Sequence, residues 1–126
     1  MSAATHGPVA ATVLVICADR NFQRFAQTVL RQKDYAAFAV GVGMPDVAVQ
    51  IRLRSPDVIL LDLDSEPASQ LRRTLRRRSV VEVSATAAGA ESGVIGKWDG
   101  ADDLVGAVER ALSVARRRSG LRLVAS

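Results

Sequence analysis

Apolar residues follow two alternating rhythms along this chain, short unbroken runs and helically spaced stripes. Thr12 to Cys17 (TVLVIC) is the first run. Phe22, Phe25, Ala26, Val29 and Leu30 then repeat at helical spacing, with Asp19 and Asn21 ahead of them as cap residues. The pattern predicts a strand and then a helix over Arg20 to Gln32. Tyr35 to Val42 reads as a second strand, weakened by its alanines. Gly41 and Gly43 mark a turn. Pro45 suits the first turn of a second helix, with Val47, Ile51 and Leu53 on its apolar side and an end before Pro56.

The clearest run is Val58 to Leu61, closed by Asp62 within SPDVILLDLD. A wholly apolar run of this kind predicts a strand buried on both faces of a parallel sheet. Pro67 opens a third helix with Leu71 and Leu75 one turn apart. Val80 to Ser84 is a fourth strand, where Glu82 between valines suggests a place near an edge. Ala85 to Ser92 carries no helical stripe. Val94 and Ile95 mark a short fifth strand ending at Lys97. Asp99 or Asp102 can cap a last helix, whose stripe is Leu104, Val105, Val108, Leu112 and Ala115. Gly120 reads as its stop.

Strands alternating with helices predict an α/β fold, a doubly wound five-stranded parallel sheet covered on both faces, with the fourth helix shortened or absent. The expected organisation is a flexible N-terminal arm at 1–11, one domain at 12–118 and a tail at 119–126. The 126 residues suit a single core, and 48 % hydrophobic residues are too many for general disorder. No apolar run approaches a membrane span, and Ala3 to Ala11 lacks the basic start of a secretory signal. A cytoplasmic protein is the simplest expectation. One cysteine, Cys17, excludes an internal disulfide and a cysteine metal cluster.

The net charge is +4, and fifteen of the seventeen basic residues are arginine. They gather at Arg72, Arg73, Arg76, Arg77 and Arg78 and again at Arg116, Arg117, Arg118 and Arg122. This supports either solvated helix faces or an anionic partner such as nucleic acid. At 4 % aromatic residues a base-stacking platform is unsupported. Gly41-Val42-Gly43 is neither a dinucleotide fingerprint nor a phosphate loop. His6 lies in the expected arm and gives no basis for a histidine triad.

Asp62 stands where chemistry collects in open α/β sheets, at the carboxyl end of a strand. Together with the order of elements, PDVILLDLD at Pro56 to Asp64 resembles the receiver domain of bacterial response regulators. The resemblance runs from about Thr12 to Ala115. It implies a flavodoxin-like sheet, Asp62 as phosphoacceptor, and Ser84 and Lys97 as the hydroxyl and lysine that attend the phosphoryl group. It also implies a magnesium ion near Asp19, Asp62 and Asp64, with a histidine kinase or a downstream regulator as protein partner. A carboxylate ending a buried strand has a second reading, as acceptor for nearby backbone amides, and Asp19 has one as a helix cap.

Three departures from the family pattern point to a divergent receiver or pseudo-receiver. Cys17 and Ala18 stand where the family has an acidic pair, and a thiol is a poor magnesium ligand. Thirteen positions separate Ser84 from Lys97, too few for the family's full fourth helix. Trp98 follows the lysine where proline is common; it reads as local cover or as a partner-binding aromatic. The expected function is signal transduction through protein contact, with an arginine-rich nucleic-acid adaptor as the alternative. Enzymatic activity beyond residual phosphoacceptance is not expected.

Overall fold

A computed structural model describes residues 11–64, 66–86 and 94–125. The elements run β1 (Thr12–Ile16), α1 (Arg20–Gln32), β2 (Ala36–Val40), α2 (Asp46–Arg54), β3 (Val58–Asp62), α3 (Glu66–Thr74), β4 (Val80–Ser84), β5 (Val94–Gly96) and α4 (Ala101–Ala125). The five strands form one sheet in the order β2-β1-β3-β4-β5, and every pairing is parallel. The doubly wound α/β expectation therefore holds. Among the described residues there are four helices. The nine residues between Ser84 and Val94 are fewer than the roughly 10–12 that a crossover with its helix takes.

Alternation along the strands sorts the core into two layers. Val13 and Val15 face α1 and α4, meeting Phe22, Leu30 and Val108. Leu14 and Ile16 face the other way, toward Val47 of α2, Leu71 of α3 and Leu75 just after it. Both sets are needed because β1 and β3 are central and lose water from both faces. Each fully buried leucine or valine contributes roughly 1.5–3 kcal/mol by leaving water. This double burial puts the carboxyl ends of β1 and β3 on a rigid base.

The helix starts follow local chemistry. The Asp19 carboxylate accepts from the Asn21 and Phe22 amides and so caps α1. Gly100, at φ +125, turns the chain into α4 in a conformation that favours glycine.

Several expectations need correction. β1 ends at Ile16, and β2 is shorter than Tyr35 to Val42. Pro45 is the residue before α2 rather than one of its first turn. Leu53 is 65 % exposed; six residues after Val47, it falls off the stripe that Val47 and Ile51 share. β4 does lie near an edge, one strand in from β5, and Glu82 there is met by the Arg72 guanidinium at 2.9 Å. Asp102 lies inside the first turn of α4, where its charge favours the helix start, and is not the residue before it. Gly120 does not stop α4, which continues to Ala125, so the expected tail at 119–126 extends the helix over 119–125. One glycine costs a helix only about 1 kcal/mol, and the surrounding leucines and arginines favour helix. Apart from Ala11, whose carbonyl accepts from the Ala36 amide, the expected arm with His6 lies outside the described residues. Ser65 and residues 87–93 of the β4–β5 link do so too. No helix among the described residues is long and apolar enough to cross a membrane.

Candidate functional site

The carboxyl ends of β1, β3, β4 and β5 meet on one rim of the sheet. In the β1–β3 ladder Ile16 lies beside Leu61, so the next residues, Cys17 and Asp62, come out side by side. Backbone bonds carry the ladders past the strand ends: Cys17 N–H to the Val40 carbonyl, Leu63 N–H to Val83, and Lys97 N–H to Ser84. These fix the side chains of the rim before any side-chain contact is made.

Asp62 is buried, with 3 % of its surface exposed. Its Oδ1 accepts from the Asp64 amide at 3.0 Å. Its Oδ2 accepts from the Cys17 thiol at 2.9 Å and from Lys97 Nζ at 2.6 Å. Both oxygens are thus engaged from inside the protein. Burial, then the bond to Asp62, pushes the Cys17 thiol up to about 12, so it stays protonated and donates. Asp19 N–H in turn donates to the Cys17 sulfur at 3.2 Å.

Lys97 is the hub. Besides Asp62, its Nζ lies 3.2 Å from Asp64 Oδ2 and 3.5 Å from Asp19 Oδ2. Burial opposes its charge, but the bonds and charges of Asp62, then Asp64, outweigh this and raise its pKa. Three carboxylates against one ammonium leave a formal charge of −2. That excess is offset by donors: the Asp64, Asn21, Phe22 and Ala85 amides, the Ser84 hydroxyl and the Cys17 thiol.

Asp64 reaches the opposite way, across to β4. Its Oδ1 accepts from Ser84 Oγ at 2.6 Å and its Oδ2 from the Ala85 amide at 3.0 Å. Partial burial alone would raise its pKa. The bonds from Ser84, Ala85 and Lys97 outweigh that and hold the carboxyl below its usual value.

The expected site residues Asp19, Asp62, Asp64, Ser84 and Lys97 therefore come together. Asp19 has its expected place as the helix cap, Oδ1 accepting from the Asn21 and Phe22 amides, while its Oδ2 faces Lys97. Three participants were missed. Cys17 was discounted as a ligand but serves as a donor, a role that its place beside Asp62 in parallel register would have shown. The Ala85 amide and Thr86 carry no sequence signal for theirs. Trp98 is half exposed and packs edge-on to Phe22 at 5.4 Å and tilted on Phe25 at 5.7 Å. Its indole thus rests on the phenyl rings of α1.

The donor set does not fit magnesium. That ion needs oxygen ligands in near-octahedral array. Here the oxygens that would supply them already bind the Lys97 ammonium, and a protonated thiol shares Asp62 Oδ2. Among the described residues no group of three or more His, Cys, Asp or Glu is arranged to hold a metal ion.

No family model and no curated protein matches the sequence. Solved structures do. NtrX from Brucella abortus, in complex with ADP, superposes with TM-score 0.74 at 20 % identity over 91 % of this chain and 29 % of that one. The present chain thus spans less than a third of NtrX. A CheY-like response regulator receiver domain from Methanospirillum hungatei gives 0.69 at 15 % identity, over 86 % of this chain and 98 % of that one. A response regulator from Thermotoga maritima gives 0.69 at 18 %, over 82 % and 98 %. The chain has the receiver fold. Within the receiver fold, the rim described above is the end of the sheet at which the sequence resemblance places the phosphoacceptor.

Proposed function

We propose that this receiver-fold chain is a signalling module that acts through protein contact without phosphorylation at Asp62. One observation carries the reading. The Asp62 carboxylate is buried, and the chain's own lysine, thiol and amide occupy both of its oxygens. A carboxylate attacks phosphorus through a free lone pair facing the donor, and the transfer relies on electrostatic stabilisation of the phosphoryl oxygens. Both conditions are opposed: Asp62 is buried with each oxygen already accepting, and Lys97 is shared among three carboxylates. The partner is a protein of a signalling chain, a histidine kinase or a downstream regulator.

The arginine clusters give the nucleic-acid reading less support. Arg72 to Arg78 belong to α3 and the turn after it, and Arg116 to Arg118 to α4. α3 and α4 cover opposite faces of the sheet, so the clusters do not join into one basic platform.

The test is incubation with magnesium and a small acyl phosphate, followed by intact-mass measurement. The expected spectrum shows no phosphoryl gain. Stoichiometric gain that disappears in Asp62→Asn would overturn the reading.

A further inference from the structure

We infer that the outer face of α2 is a docking seam for a second copy of this chain, the two α2 helices pairing antiparallel about a two-fold axis at Val49. The inference goes beyond the phosphorylation-independent reading above and does not rest on it.

α2 carries apolar side chains on two opposite sides. The inner side is spent on the sheet: Val47 is buried in one cluster with Leu14, Ile16 and Leu61, and Ile51 packs against the same cluster. On the outer side Val49 is 46 % exposed and Leu53 65 %, with Pro45 exposed one turn earlier. These three are spaced four residues apart, so they stand in one ridge along the helix. Met44, also exposed, continues the apolar surface past the helix start. Of the four large hydrophobic side chains exposed among the described residues, three are thus gathered at α2. Scattered exposed apolar residues need no explanation, but a contiguous set marks a contact surface. A helix that is apolar on both sides is one that is covered on both sides.

The charges name the occupant. Asp46 lies three residues before Val49 and Arg52 three residues after it; Pro45 and Leu53 lie four before and four after. Among the described residues neither Asp46 nor Arg52 takes part in an ion pair. Arg54 is already engaged, its guanidinium 4.0 Å over the Phe38 ring. In an antiparallel pair centred on Val49, each Asp46 comes level with Arg52 of the second copy, and each Pro45 with its Leu53. The negative end of each helix dipole also comes beside the positive end of the other. A parallel pair would instead set Asp46 beside Asp46 and Arg52 beside Arg52. The ridge therefore complements itself, as a two-fold interface requires. Two nine-residue helices cross over less than the roughly 1,200 Å² of a standard stable interface. Arg76 to Arg78, which follow α3 on the same layer, add like charge between the copies. The dimer is therefore weak and reversible.

The experiment is sedimentation equilibrium of the full chain from about 10 μM to about 1 mM, a range that spans weak affinities. Far-UV circular dichroism checks that each variant is folded. A reversible monomer–dimer equilibrium is expected. Val49→Glu puts two carboxylates on the axis and is expected to weaken it roughly tenfold or more. Asp46→Arg and Arg52→Asp are each expected to weaken it, and the double variant to recover most of the loss. A mixture of the two single variants is expected to associate more tightly than either alone, because the pair then joins two arginines to two aspartates. A merely structural role for these side chains would not produce that rescue. Should Asp46→Arg fail to fold, Leu53→Glu with Val49→Glu carries the test, and an equilibrium unmoved by both overturns the inference. A chain that stays monomeric throughout also overturns it and leaves the face to a different protein. A dimer that Val49→Glu weakens but that neither the double variant nor the mixture restores overturns the antiparallel pairing. Phosphoryl gain on Asp62 would sink the functional reading and leave this one standing.

Discussion

The two carboxylates that follow β3 are held in opposite ways. Asp62 points into the protein, is buried, and binds a thiol and an ammonium. Asp64 points across the rim, stays partly exposed, and binds a hydroxyl and an amide at the end of β4. Lys97 touches both. The inner carboxylate is therefore mainly a matter of stability, because an uncompensated buried charge is expensive. The outer one is mainly a matter of conformation, because it ties a turn to a strand end at little desolvation cost. Two acidic residues separated by one leucine thus do different physical work because Asp62 is the last residue of β3 and Asp64 lies in the turn beyond it, outside the strand.

The sharpest way to break this contrast is Lys97→Met. It leaves Asp62 buried without its cation, and we expect a loss of about 3–5 kcal/mol by urea denaturation. Replacing both partners by apolar residues, Lys97→Met with Asp62→Leu, should recover much of that loss. No recovery would mean that the pair is not the reason for the cost.

The second test is pH. Cys17 and Lys97 both bind their protons more tightly in the folded state. Their contribution is whole below the ordinary values of 9.0 and 10.5, and is lost as pH rises through the folded values, which for Cys17 is about 12. Asp64 has the opposite sign. Its contribution is present above the ordinary 3.8 and is lost as pH falls through its lowered folded value. Thermal melts across pH should show an alkaline limb that Cys17→Ala weakens and an acid limb that Asp64→Asn weakens. Limbs that respond to the other variant would break the contrast.

A smaller effect is expected from Ser84→Ala, about 1–2 kcal/mol, for one bond to a partly exposed carboxylate. A loss as large as that of Lys97→Met would move Asp64 into the stability class. The smallest effect belongs to magnesium. Millimolar magnesium should leave Tm unchanged in the parent, because binding would stabilise only if the ion displaced Lys97. A clear rise would show that the three carboxylates prefer the ion to the lysine.

Much of this was legible before any coordinates. β3, β4 and α1 have the expected ends because their signals are local: apolar runs closed by Asp62 and Ser84, and a stripe preceded by a cap at Asp19. The meeting of Asp62, Ser84 and Lys97 was legible too, since parallel strands in a doubly wound sheet present their carboxyl ends on one rim. What escaped depends on register and reach. Cys17 looked inert because its residue type was judged without its neighbour across the ladder. Asp64 was placed near a magnesium ion and not against β4, because spacing cannot say where a side chain turns after a strand ends. Gly120 looked like a stop because a glycine's weak local cost was given more weight than the helix formers on both sides.

One consequence lies in the placement of Trp98, the single tryptophan of the chain. Its indole rests edge-on against Phe22, and the same phenyl ring lies 5.3 Å from the Lys97 ammonium. The molecule thus carries an intrinsic optical reporter, one ring away from its charged hub. Changes in Lys97 pairing can be followed by emission spectra of the unlabelled chain.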